Sequence, residues 1–252
     1  MPSKIKATSK PYSHIQPLRR QFLATLQGQV PYEICHHQGW ADYFELTFDA
    51  QLVGYGAVKG MEQIEDRNSI FEFYILPGYR QHARHFFKRL LEASRAGYVE
   101  CQTNEHLLTA ITYSFCKNIQ EELWLLNDDH VTFHHLPGTV FRPRRQNEDI
   151  HWHTDPPGAY LLLLGDKVVA EGGLIANYNA PYADLHMSVD PAYQGRGIGT
   201  YFVQELKKTT YLSGHLPVAR CQIDNLASLE TLQKAGMKIC GKMIWGTVNR
   251  IQ

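Results

Sequence analysis

The run Gln194-Gly195-Arg196-Gly197-Ile198-Gly199 has the residue types of an anion cradle. It follows a strand-like stretch, Leu185-His186-Met187-Ser188-Val189, and precedes a helical pattern expected over Thr200 to Thr209. The first N–H groups of a helix have no intrahelical partner, and the helix dipole adds partial positive charge there. Glycines let that backbone approach a phosphate without a Cβ in the way. Two better-known glycine loops do not fit. A P-loop needs Lys-Ser/Thr after its last glycine, and here the first lysine is Lys207. A dinucleotide fingerprint needs Gly-x-Gly-x-x-Gly, whereas Gly195, Gly197 and Gly199 alternate.

What remains is Gln-x-x-Gly-x-Gly after Val189-Asp190-Pro191. A second motif lies downstream, where Cys221-Gln222-Ile223-Asp224-Asn225-Leu226-Ala227-Ser228 ends a strand and opens a helix closing at Lys234-Ala235-Gly236-Met237. The pair, in this order and spacing over roughly residues 165–248, resembles the coenzyme A signature of the GCN5-related N-acetyltransferases, the GNAT superfamily. The resemblance implies acetyl-CoA as donor and direct attack by an amine in a ternary complex. It implies that the backbone of Met187, Ser188 and Val189 runs along the pantetheine, with one N–H stabilising the thioester oxygen. By the same likeness Gln194, Gly195, Arg196, Gly197, Ile198, Gly199 and Thr200 surround the pyrophosphate, with Arg196 as a charged supplement. Asn225 would contact pantetheine, and Ser228 lies one turn further on the same helix face. Many members carry a Tyr four residues before the exit glycine as acid to the leaving thiolate, and that position here is Leu232. A thiol titrates near 8.5, so unassisted departure near neutral pH costs only about 2 kcal/mol. Tyr178, Tyr182 and Tyr201 are the alternative acids.

The acceptor ammonium must also lose a proton, which calls for a carboxylate or His within reach. Strand alternation puts Asp184, His186 and Ser188 on one face, opposite Leu185, Met187 and Val189. Glu171 breaks an otherwise apolar run on the preceding strand. Asp184, Glu171 and His186 are therefore the candidate bases. His151-Trp152-His153-Thr154-Asp155 contains a His-x-His pair, but no local residue completes a tetrahedral set, and no metal is expected.

The elements that must position these groups occur twice. Phe48 to Gly56 can be laid on Leu164 to Gly172, Ile75 to Arg80 on Val189 to Gln194, and Val99 to Asn104 on Ala219 to Asn225. Each middle match is followed by an amphipathic helix, with Phe86, Phe87, Leu90 and Leu91 in one and Phe202, Val203 and Leu206 in the other. The expected fold class is α/β, with an α+β mixed sheet and two tandem GNAT-like units. The boundaries read as a degenerate unit over 1–136, a linker over 137–158 and a cofactor-binding unit over 159–252. In the first copy Arg80-Gln81-His82-Ala83-Arg84-His85 replaces the glycines, so side chains occupy the place of the close backbone approach. A complete family domain has two acceptor-side helices. None is evident between Leu126 and Tyr160, which suggests that the first half, starting with a helix over Pro17 to Leu26, supplies the acceptor wall.

Composition narrows the partners. The 252 residues are 44% hydrophobic and 20% charged with zero formal net charge, which gives no global attraction to nucleic acid or an anionic membrane. The cluster Arg142-Pro143-Arg144-Arg145 reads as a solvated loop, His36-His37 and Trp40 as loop and core, and Trp124, Phe133 and Phe141 as core. No apolar run approaches about 18 residues, and the five scattered cysteines read as reduced buried thiols, so a cytoplasmic protein is expected. The expected acceptor is a small-molecule or peptide amine. Rival readings are a non-catalytic acyl-CoA-binding module and, less favoured by the neutral charge, transfer from an aminoacyl-tRNA.

Overall fold

Hydrophobic alternation along the chain resolves into strands that form two sheets' worth of repeated topology, each half wrapped around its own helices. The computed structural model describes residues 4–26, 28–145, 148 and 157–249, and these divide into two units. The first contains β1 (Ile5–Lys10), α1 (Tyr12–Thr25), α2 (Glu33–His37), β2 (Asp42–Phe48), β3 (Gln51–Lys59) and β4 (Ser69–Ile75). A 3-10 turn (Pro77–His82), α3 (Ala83–Ser94), β5 (Tyr98–Gln102), α4 (His106–Phe115) and the start of β6 (Cys116–Asp128) follow. The second contains the rest of β6, β7 (Thr139–Pro143), β8 (Tyr160–Leu164), β9 (Lys167–Ile175) and β10 (Tyr182–Val189). It continues through a 3-10 turn (Pro191–Tyr193), α5 (Ile198–Leu212), β11 (Leu216–Gln222), α6 (Leu226–Lys234) and the start of β12 (Met237–Val248).

Within the first unit the strand order is β1-β2-β3-β4-β5-β12, antiparallel except for the parallel pair β4/β5. Within the second it is β7-β8-β9-β10-β11-β6, antiparallel except for β10/β11. The repeat seen in the sequence is therefore a repeat of topology. The units differ from the boundaries expected at 136 and 159 in two ways. The second unit takes its sixth strand from 123–128, and residues from 241 onward belong to the first. Each sheet needs an antiparallel neighbour beyond its parallel pair, and no local pattern reports which strand supplies it. The second unit also includes Gly28–Pro31, tied in where Val30 N donates to Asn179 Oδ1 (2.6 Å) and Gln29 Nε2 to the Leu126 carbonyl (3.1 Å).

In the second unit Ile198, Phe202, Val203 and Leu206 form the buried stripe of α5 and pack on Val169, Ala170, Leu185 and Ala219 of the sheet. In the first, Phe86, Phe87 and Leu90 of α3 do the same against Val53, Phe73 and Ile75. The opposite face of the first sheet is covered by α1, which begins at Tyr12 rather than Pro17. Pro17 lies inside the helix. Its missing N–H removes one early bond, and burial of Ile15, Leu18 and Phe22 outweighs that loss.

Under α1 lies a buried ionic network that the reading of His36 as loop did not foresee. Arg19 donates through Nε and Nη2 to Glu72 and through Nη1 and Nη2 to Glu33, all at 2.6–3.3 Å. His36 Nε2 meets Glu72 Oε1 at 3.0 Å, and Tyr55 donates to Glu72 Oε2 at 2.8 Å. Burial works to raise the Glu72 carboxyl, but the facing His36 and Arg19 outweigh it and hold it at about 2. Other side-chain assignments also change. Phe133 is 90% exposed rather than core. Arg142 and Pro143 end β7, and Arg144 pairs with buried Glu171 instead of lying in a solvated loop.

Replacing Arg19 by Met strands two buried carboxylates, and the expected loss is about 3–5 kcal/mol in denaturant unfolding. Because the Glu72 carboxyl is depressed from about 4.5 to about 2 in the folded protein, its stabilisation is present above pH 4.5 and drains away as pH falls towards 2. Wild-type stability measured across that window should fall, and a flat profile would refute the network's contribution.

Candidate functional site

The parallel pair β10/β11 stays together for only three residues. Tyr182, Ala183 and Asp184 face Leu216, Pro217 and Val218, and no pairing continues beyond them. β10 nevertheless runs on to Val189, held on its other edge by β9 from Asp184↔Ile175 to Val189↔Ala170. The edge of Leu185–Val189 that faces β11 is thus a strand edge without a strand, with backbone donors and acceptors open to a ligand.

At the end of that edge the chain turns into α5. Gly195 and Gly197 take φ of 75° and 77°, left-handed values that side-chain-bearing residues adopt at a cost. Gly197 is the N-cap, it supplies no side-chain cap, and the first turn holds no acidic residue. The first intrahelical bond runs from Tyr201 N to the Gly197 carbonyl at 3.1 Å, so the N–H groups of Ile198, Gly199 and Thr200 have no helical acceptor. Anion affinity is built into this helix start.

A cavity of about 520 Å³ joins the open strand edge, this helix start and the face of α6. Of the residues expected to hold the cofactor, Met187, Ser188, Val189, Gln194, Gly195, Gly197, Ile198, Gly199, Thr200, Asn225 and Ser228 line it. Arg196 does not. Its Nη2 folds back to the Ala192 carbonyl at 3.2 Å and its guanidinium lies over the Tyr193 ring. Asn225 caps α6, its Oδ1 accepting from Ser228 N at 3.0 Å, which leaves Nδ2 as its donor. Thr231 and Lys234 also line the cavity and were not anticipated. They follow Ala227 at helical spacing of four and seven, which is the signal that marks their face.

The residues present fit an acyl-CoA. They offer uncapped helix N–H groups for phosphates and an unpaired strand edge for the pantetheine amides, while Lys234 pairs at 3.1 Å with Glu230, which also lines the cavity. Leu232, in contrast, is buried in the core. Tyr178, Tyr182 and Tyr201 do not line the cavity, and Tyr193 is the phenol that does.

On the other face of the sheet the three candidate bases separate. Glu171 is fully buried, paired with Arg144 and accepting from Gly158 N at 3.3 Å. Asp184 Oδ2 accepts from Tyr178 OH at 3.1 Å and meets Arg220 Nε at 3.2 Å. Burial pushes the Asp184 carboxyl up to about 6, against the opposing pull of Arg220 and Tyr178. His186 is half-buried, and burial lowers it from its usual value while Glu171 works the other way. None of the three lines the cavity; His186 is the neighbour of Met187, which does, whereas Asp184 lies two positions further along the strand. The His151-x-His153 segment falls outside the described residues, and among the described residues no group of three metal-binding side chains converges. No described helix is long and apolar enough to cross a membrane.

Two family models match the chain. One, described as acetyltransferase (GNAT) family, covers residues 116–237, and the other, acetyltransferase (GNAT) domain, covers residues 12–129. No curated protein matches it. Among solved structures, a GNAT-family acetyltransferase from Colwellia psychrerythraea superposes with a TM-score of 0.74 at 15% identity, covering 98% of this chain and 100% of its own. A GCN5-related N-acetyltransferase from Sphaerobacter thermophilus gives 0.58 at 14% identity over 97% and 95%. A tandem GNAT protein from the clavulanic acid biosynthesis pathway gives 0.58 at 8% identity over 99% and 100%. These structures share the fold, and the two family models together span residues 12–237. The chain belongs to the GNAT acetyltransferase superfamily, as two tandem units.

Proposed function

We propose that this protein is an acetyl-CoA-dependent N-acetyltransferase whose donor site is in the second unit and whose acceptor is a primary amine of a small molecule or peptide. The observation that carries the reading is one cavity combining an uncapped helix start with an unpaired strand edge. Bound there, the donor supplies an acetyl thioester. N–H groups of Ile198, Gly199 and Thr200 hold its phosphates, and an N–H on the Met187–Val189 edge stabilises the developing oxyanion. His186, on the opposite face of β10, takes the proton released by the attacking ammonium. The proton would pass beside the stretch of β10 beyond Asp184, where the pairing with β11 ends. Glu171 is too enclosed to serve, and so is Asp184, with Tyr178 and Arg220 both on its Oδ2 and its Oδ1 buried. The first unit, with Arg19 locked across its helix-covered face, is structural and carries no second donor site. Free thiols at all five cysteines fit a reducing, cytoplasmic setting.

Thermal unfolding tests the donor. At about 100 times the dissociation constant, acetyl-CoA or CoA should add roughly 2.7 kcal/mol, a rise of several degrees, while NAD and ATP add little. Gly197→Asp, which puts a carboxylate at the helix start, should abolish the rise. A rise that survives in this variant would move the donor elsewhere.

Turnover tests the acceptor chemistry. Across an amine panel, His186→Ala should lower kcat by roughly 10²- to 10⁴-fold and leave the KM for acetyl-CoA unchanged. The buried Leu232 favours one rival, a CoA-binding module without chemistry. A thermal rise with CoA but no acetylated amine would establish that rival in place of the enzyme.

A further inference from the structure

Resting on the acetyltransferase reading, we propose that Glu171, held by Arg144, positions His186 over Gly173 as the proton acceptor of the transfer reaction. The seat is built from backbone. Gly173 faces His186 across the β9/β10 pair, and a Cβ at position 173 would lie 2.9 Å from His186 Nε2 and 3.2 Å from Ala159 N. The tip of the imidazole therefore comes close to a position that carries no Cβ, bounded by Ala159. That segment is tied to the same cluster. Arg144 N donates to the Ala159 carbonyl at 2.9 Å, Gly158 N donates to Glu171 Oε2 at 3.3 Å, and the Arg144 guanidinium pairs with the same carboxylate.

Glu171 stands opposite Ser188 and so lies diagonal to His186 across the strand pair, within reach for electrostatic coupling. The Arg144 guanidinium and the Gly158 N–H are both aimed at this fully buried side chain. Its negative charge opposes the burial that lowers His186 and keeps the imidazole basic enough to accept a proton. The other charged group on this face from β10 is Asp184, whose partners are Arg220 from β11 and Tyr178 from the β9–β10 connection. Each carboxylate has its own arginine, Arg220 for Asp184 and Arg144 for Glu171, and Glu171 is the one that works against the lowering of His186. Removing the acceptor proton breaks an N–H bond on the ammonium and forms one on the imidazole, which releases it to solvent after transfer.

Two readouts separate this role from simple packing. The first is NMR titration of the His186 ring, assigned by its loss in His186→Asn. In Glu171→Gln, nearly isosteric, the His186 titration should move to lower pH, and in Arg144→Lys it should stay near the wild-type position. The second is the pH profile of kcat/KM. Neutral His186 is the active form, so activity rises with pH through its titration. In Glu171→Gln the acid limb should move to lower pH and the plateau should fall roughly 10- to 100-fold, because a weaker base accepts the proton less readily. Gly173→Ala should displace the ring and lower kcat by about 10²-fold with the KM for acetyl-CoA unchanged. A His186 titration and an acid limb that stay in place in Glu171→Gln, whatever the plateau, would overturn the proposal. If no amine is acetylated by the wild type, the acetyltransferase reading fails on its own, while the titration still decides whether Glu171 governs His186.

Discussion

A backbone that leaves its hydrogen-bonding partner must find another, and the site depends on that constraint. β10 parts from β11 after Asp184, which exposes half of its peptide groups over the last five residues. In a sheet interior such groups carry a desolvation cost that water or a ligand must offset. The strand stays straight because β9 pairs with it along its full remaining length. The same strand therefore carries two kinds of recognition. Its edge presents amides, while its alternating side chains place Met187 and Val189 against the core and His186 on the far face.

The glycine turn extends the logic from strand to helix. Because Gly197 caps α5 with backbone alone, no side chain competes for the first three N–H groups. At α6 the opposite solution holds, with Asn225 satisfying its own helix and still lining the cavity. One helix start is left hungry and its neighbour is closed. In the proposed donor site, that difference favours the phosphates at α5 and the amide-bearing arm at the gap beside α6.

The strand, glycine turn and helix of the second unit were legible because they are local, with the period-two and period-3.6 patterns adjoining in about 30 residues. Of the twelve cofactor residues that the family resemblance implies, eleven line the cavity. Contacts made through space were not legible. Arg196 sits within the motif yet turns to Tyr193, since a long side chain on an exposed turn takes whichever carbonyl and ring are nearest. Arg144 looked like part of a basic surface run, but the residue it answers, Glu171, lies 27 positions away. His36 gave no periodic signal for its place between Tyr43 and Glu72. Strand sharing was invisible for the same reason: nothing in 116–128 or 237–248 says which sheet each end completes.

The first unit supplies an internal control on what makes the splay a site. Its parallel pair β4/β5 parts even sooner, after Ile70 and Val99, so the open gap belongs to the topology and not to the function. What differs is how the gap's borders are filled. After β4 the chain carries Arg80-Gln81-His82-Ala83-Arg84-His85 where the second unit has its glycine run, and Arg80 spends its Nε on the Ile75 carbonyl. The helix beyond β5 is capped by Glu105, which accepts from Leu108 N with both oxygens. Burial lifts that carboxyl to about 8, with Glu72 adding to the rise, although the Leu108 N–H opposes it. At the corresponding cap the second unit has Asn225, shorter and never charged. A longer side chain whose two oxygens are both taken up by its own helix start, beside a turn that carries side chains, offers a ligand no donor, whereas the Asn225 amide beside a glycine turn keeps its Nδ2 to give. The fold provides the slot twice, and the chemistry of two short loops decides which copy can use it.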